Sequence, residues 1–136
     1  MANANMNRPT VLLSDSAAAP SLAARLGPAT WYSRVEDLVR AQPLSSVGVL
    51  VVDSPAQPLG MLLLMFGRMN VEYPAMQKVA VMDGPPPLPV AEYLTACGVD
   101  LVWRGSGEER IEQLAMVVNR MQQRTCWLAA LQPSDA

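Results

Sequence analysis

Two aspartates stand directly after short, strongly apolar runs. Pro9-Thr10-Val11-Leu12-Leu13-Ser14 leads into Asp15, and Val47-Gly48-Val49-Leu50-Val51-Val52 leads into Asp53. Short β-branched runs bounded by turn residues have the pattern of parallel strands sheltered on both faces by helices. In an open α/β sheet, ligands sit beyond the carboxyl ends of the strands. Carboxylates at two such ends would share one surface, where a divalent cation or a phosphoryl group can be handled. Each aspartate alone also suits a plain turn, Asp53 before Pro55 and Asp15 before Ser16.

The rest of the composition narrows the chemistry. A chain of 136 residues is one domain, long enough to bury about two-thirds of its unfolded surface. An apolar fraction of 51% with 16% charge argues for a globular protein and against disorder. The net charge of −2 gives no electrostatic footprint for nucleic acid or an anionic membrane. The chain has no histidine, which excludes every His-based triad, general base and metal site. The two cysteines, Cys97 and Cys126, fit no zinc spacing. Met1 to Arg8 is polar and Asn-rich, with no apolar h-region, and the apolar stretch Leu59 to Gly67 is too short for a bilayer. A cytoplasmic protein with reduced thiols is expected.

The elements that would position the acids follow in order. Strands are expected at Thr10–Ser14, Thr30–Ser33, Val47–Val52, Lys78–Met82 and Asp100–Trp103. Helices are expected at Ser16–Leu26, Val35–Ala41, Leu59–Asn70, Val90–Cys97 and from Glu108 onward. The last carries Ile111, Leu114, Ala115, Val118 and Met121 on one face. Gly27-Pro28, Pro43 and Gly98 are stop signals. The run Pro85-Pro86-Pro87-Leu88-Pro89 cannot donate ladder bonds and should hold the chain extended. Alternating strands and helices predict a doubly wound, five-stranded parallel sheet flanked by helices on both faces. The expected layout is a disordered segment 1–8, a domain over 9–124, and a helical extension with flexible tail over 125–136.

This order, with acids after the first and third strands, resembles the CheY-like receiver domain of two-component response regulators. The resemblance spans Thr10 to about Arg124. Asp53-Ser54-Pro55-Ala56-Gln57-Pro58-Leu59-Gly60 is similar to the phosphoacceptor strand end and the opening of helix three. Ala96-Cys97-Gly98-Val99-Asp100 resembles the family's Gly-Ala-Asp segment, and Glu108 to Leu114 the acidic opening of helix five. The family's chemistry uses a pair of acids and an acceptor aspartate around magnesium, a Thr or Ser after strand four, and a Lys after strand five.

The departures from that pattern decide more than the matches. Asp53 matches the acceptor, and Ser14-Asp15 matches the acid pair with its first member replaced by serine. Met82-Asp83 supplies no hydroxyl, and Arg104-Gly105-Ser106 replaces Lys-Pro-Phe. The rigid guanidinium fork of Arg104 does not copy an ammonium. An Asp83 carboxylate at the hydroxyl position would repel an arriving phosphoryl group by roughly 4 kcal/mol at about 4 Å and an effective dielectric near 20. That amounts to about three decades in an equilibrium constant. The acids left, Asp15 and Asp53, are suited to no more than weak, water-mediated magnesium.

The resemblance therefore implies a pseudo-receiver: a phosphorylation-independent protein-interaction module in bacterial signalling, regulation or cell organisation, and not an enzyme. It would bind a protein partner or itself through helical faces, with no direct contact to membrane or nucleic acid. Helix three is apolar almost all round and a receiver covers only one side, which directs Met61, Met65 and Met69 toward a partner. Helix five runs on to Trp127, Leu128 and Leu131, which extend that surface or cap the fold itself. Trp31, Tyr32 and Trp103 are expected in or beside edge strands, as core residues. Two alternatives stay open. One is a genuine phosphoacceptor regulator modified on Asp53. The other is an isolated input domain, since the stretch from strand four to helix five also resembles pseudo-receivers in front of antiterminator modules and of pilus-assembly ATPases.

Overall fold

The strands richest in valine and leucine occupy the middle of the sheet, where both of their faces are covered. The computed structural model describes residues 9–15, 19–26, 29–53, 59–82, 86–102 and 108–131, and for residues 59, 108–111 and 124–131 the backbone alone. The elements run β1 (Thr10–Leu13), α1 (Ala19–Arg25), β2 (Ala29–Tyr32), α2 (Val35–Ala41), a 3-10 turn (Leu44–Ser46) and β3 (Val49–Asp53). They continue with α3 (Leu59–Glu72), β4 (Gln77–Val81), α4 (Leu88–Ala96), β5 (Val99–Val102) and α5 (Glu108–Leu131). The sheet order is β2-β1-β3-β4-β5, with every pairing parallel. The predicted doubly wound architecture is thus the observed one.

Strand alternation divides the core in two. Val11, Leu13, Leu50, Val52 and Ala80 face one way and pack with Leu38 of α2, Leu62, Phe66 and Met69 of α3, and Leu94 of α4. Leu12, Val49, Val51, Val79 and Val81 face the other way and meet Leu22 of α1 and Leu114, Val118 and Met121 of α5. Burying each such side chain contributes about 1.5–3 kcal/mol before chain entropy is counted. The α5 stripe is the expected one, although the Ile111 side chain lies outside the described residues. Among the described residues, no helix is long and apolar enough to cross a membrane.

Several boundaries move for local reasons. Val47 donates its N–H to the Leu44 carbonyl, so it closes the 3-10 turn and β3 begins at Val49 instead. Helix α4 begins at Leu88, earlier than expected, and takes in Pro89. A proline in the first helical turn sacrifices no hydrogen bond, because those N–H groups have no intrahelical partner. The extended proline run therefore stops at Pro87, whose ψ of 149° is non-helical. Gly98 adopts φ +77° just past the end of α4, where a Cβ would be strained.

One burial went unnoticed in the sequence. Lys78 is 2% exposed, and its ammonium donates to the Met76 carbonyl at 3.0 Å. Its position in β4 points it to the α3–α4 side, in register with Leu50 and Val99. Burial lowers its pKa from the usual 10.5, an effect opposed by the nearby Cys97. The native state then releases this proton before the unfolded chain does. Stability from this group rises as pH climbs from the lowered native value toward 10.5. We expect Lys78→Met to be more stable near neutral pH, by about 1 kcal/mol or roughly 3–5 °C in Tm. Thermal melts across the alkaline range should show the gap between variant and wild type closing as pH rises.

Candidate functional site

The sheet order reverses between β1 and β3, since the chain leaves β1 for β2 on one side and reaches β3 on the other. Such a switch point opens a crevice at the carboxyl ends of the two strands. Leu13 pairs with Val52, so the next residues along, Ser14 and Asp53, come side by side. Ser14 shares the parity of Leu12, and Asp53 that of Val49 and Val51, whose side chains lie on the α1–α5 side. The Ser14 hydroxyl donates to Asp53 Oδ2 at 2.9 Å. Ser14 is fully buried and Asp53 half-buried, while Asp15 is exposed. A hydrogen bond to an ionised acceptor is worth about 1.5–3 kcal/mol.

Trp31 forms the flank of this pair. Its indole N–H donates to the Ser14 carbonyl at 2.6 Å, and the Ser14 N–H donates to the Tyr32 carbonyl at 3.0 Å. Ser14 is thus held through its N–H, its carbonyl and its hydroxyl. Trp31 is 40% exposed, which corrects its expected place in the core: it lies on edge strand β2 and braces the site. The sequence offered little to mark this role beyond an aromatic in a short strand. Tyr32 does pack against the core, and its hydroxyl accepts from Gln42 Nε2 at 3.1 Å.

The expected constellation is brought together only in part. Ser14 and Asp53 are in contact, and Asp15 follows directly at the solvent side. Asp83, Arg104 and Trp103 lie outside the described residues. Magnesium asks for near-octahedral oxygen ligation with one or two carboxylates and several waters. Here the Asp53 carboxylate already accepts from Ser14, and a serine hydroxyl contributes no charge where the receiver pattern has an acid. Among the described residues, no three of Asp, Glu, Cys or His gather as a metal cluster. This donor set does not fit a tightly held magnesium ion.

The helical residues separate cleanly. Met61 is 59% exposed, and Met65 is half-buried with part of its side chain against the core. Met69 is 5% exposed and belongs to the core between α3 and the sheet, so its assignment to an interaction surface is corrected. Its spacing of four from Met65 suggested a shared stripe, but on a 3.6-residue helix that stripe drifts inward. Leu64 and Val39, exposed at 67% and 53%, occupy the outer surface instead and were missed. The α5 backbone does continue through Trp127 and Leu128 to Leu131, whose side chains lie outside the described residues.

Restoring the missing acid should restore metal sensitivity. Ser14→Asp places a second carboxylate against Asp53, and two like charges at about 4 Å repel by roughly 4 kcal/mol at an effective dielectric near 20. We expect this variant to melt below the wild type without magnesium and to regain stability in millimolar magnesium. The wild-type Tm should scarcely respond to the same addition. Differential scanning calorimetry with and without the ion makes the comparison.

Neither a family model nor a curated protein matches the chain. Two solved structures share its fold over nearly their full lengths. A pilus assembly-related protein of Burkholderia pseudomallei superposes with a TM-score of 0.65 at 15% identity, covering 90% of this chain and 93% of that one. A CheY-like protein, TadZ, of Pseudomonas aeruginosa superposes with a TM-score of 0.61 at 18% identity, covering 96% of this chain and 99% of that one. At these identities the likeness is one of architecture. This chain has the CheY-like receiver fold.

Proposed function

We propose that the protein is a pseudo-receiver, a protein-interaction module of bacterial signalling or cell organisation that works without phosphorylation. The observation that carries this is the hydrogen bond from Ser14 to Asp53. An acceptor aspartate must present a free carboxylate oxygen to phosphorus while cations offset nearly two further negative charges on the product. In this chain a buried neutral hydroxyl occupies the place of a metal-binding acid and engages one oxygen of the acceptor. The sequence adds Asp83 where a hydroxyl is needed and Arg104 where a lysine is needed. This reading assigns the chain no catalytic activity and no cofactor beyond weakly held magnesium.

The second reading, an input domain of pilus-assembly type, is favoured by one observation. A structural neighbour is described as pilus assembly-related and the other as CheY-like, and both align over at least 93% of their own length. The two readings are compatible, because a module that docks by its helical faces can do so alone or in front of a second domain. A cytoplasmic setting suits both: Cys97 is a free, buried thiol.

The test is chemical. Incubation with a small acyl phosphate donor and magnesium should leave no acid-labile phosphate on Asp53, by intact-mass analysis. Asp53→Asn keeps an amide oxygen to accept from Ser14, so its stability should stay within about 1 kcal/mol of wild type. Partner capture by the variant should match that of the native chain. A stable phosphoaspartate, or loss of partner binding on that substitution, would instead establish the phosphoacceptor regulator.

A further inference from the structure

Between α2 and α3 runs an open groove of about 430 Å³, lined by Val35, Val39, Met61 and Met65, with Glu36 and Arg40 at its rim. Its apolar floor is open to solvent, with Val39 at 53% and Met61 at 59% exposure. Met61 lies on the exposed side of α3, beside α2. Methionine on such a surface repacks readily against a partner.

The rim says which partner. Glu36 and Arg40 are four residues apart on one face of α2, a spacing at which such pairs commonly join. On α3, Arg68 and Glu72 have the same spacing and do join, at 3.3 Å. Among the described residues, Glu36 and Arg40 find no ion-pair partner within the chain, and both are exposed. The groove therefore carries one open negative and one open positive charge, about 6 Å apart along the helix axis. A strongly acidic or basic partner would meet like charge at one end of it. A second copy of the same groove, turned by a two-fold axis, would not.

We propose that this face joins two copies of the chain across a two-fold axis, with the α2 helices antiparallel. This deepens the interaction-module reading and rests on it. Antiparallel pairing places Glu36 opposite Arg40 of the partner subunit, and Arg40 opposite Glu36 of the partner subunit, so both open charges are satisfied by one operation. Val39 meets its symmetry mate near the axis, and Met61 and Met65 close over the apolar strip. Two-fold contacts are self-complementary in this sense: residue i meets residue j, and j meets i.

Charge reversal tests the arrangement. The native chain should form a dimer at tens of micromolar in sedimentation equilibrium. Glu36→Arg and Arg40→Glu each create two repulsive pairs per dimer and should weaken association by about tenfold or more. The double variant Glu36→Arg/Arg40→Glu should regain it. A one-to-one mixture of the two single variants should regain it as well, because each supplies the charge that the other lacks. Asp37→Arg makes the same charge change in the first turn of α2 but does not line the groove, and it should associate as the native chain does. Circular dichroism on each variant checks that the monomer stays folded. A native chain that is monomeric at hundreds of micromolar overturns the proposal, and so does a mixture that fails to associate. Either result leaves the phosphorylation test on Asp53 to judge the interaction-module reading separately.

Discussion

The structure depends on the double-sided burial of three central strands. The side chains of β1, β3 and β4 that face α2, α3 and α4 are as buried as those that face α1 and α5. A strand apolar on both faces cannot stand at a solvent boundary, so helices must lie on both sides of the sheet. Parallel neighbours each need a crossover, and helices fill those crossovers. The crossovers are right-handed in nearly all such folds, so the side on which a helix lies follows from the direction in which the chain moves along the sheet. Reversal of the chain's direction along the sheet after β2 sends the α1 crossover to one face and the α2, α3 and α4 crossovers to the other, and α5, which follows β5, packs on the α1 face.

That same reversal builds the crevice in which Ser14 and Asp53 meet. The pair is a product of register: one residue of slip between β1 and β3 would turn one of the two side chains to the other face. Register is held from both sides of β1, by its ladder to β3 and by the contacts of Tyr32 and Trp31 to Ser14. The site is thus braced on both sides, with the Ser14 hydroxyl against the Asp53 carboxylate. The physical difference between a phosphorylation switch and a static module lies in whether cations can offset a phosphoryl group at such a site.

The helices on one side of the sheet leave apolar surface open to solvent. The α3 helix is apolar nearly all round: among its described side chains Leu62, Phe66 and Met69 are buried in the core, and Leu63 and Met65 pack against it in part. Met61 and Leu64 stay outside, and α2 adds Val39 with two open charges beside it.

The sequence by itself determined the class of fold and the order of its elements. Two periods carry that information: alternation with continuous apolar runs for the strands, and the spacing of Leu114, Val118 and Met121 for the last helix. It also marked Asp53 and Ser14, because strand ends are legible from where an apolar run stops. Only the tertiary structure decided which side chains touch. The hydrogen bond between Ser14 and Asp53 joins residues 39 positions apart and follows from strand register, which no local pattern encodes. The burial of Lys78 depends on the approach of Cys97 and Gly98 at the end of α4, and that of Met69 on the packing of α3 against the sheet. Trp31 became a brace because β2 is an edge strand, and strand order is a property of the whole chain. Local spacing fixes what an element is. Its neighbours, supplied by distant segments, fix which of its faces is buried and which is free to act.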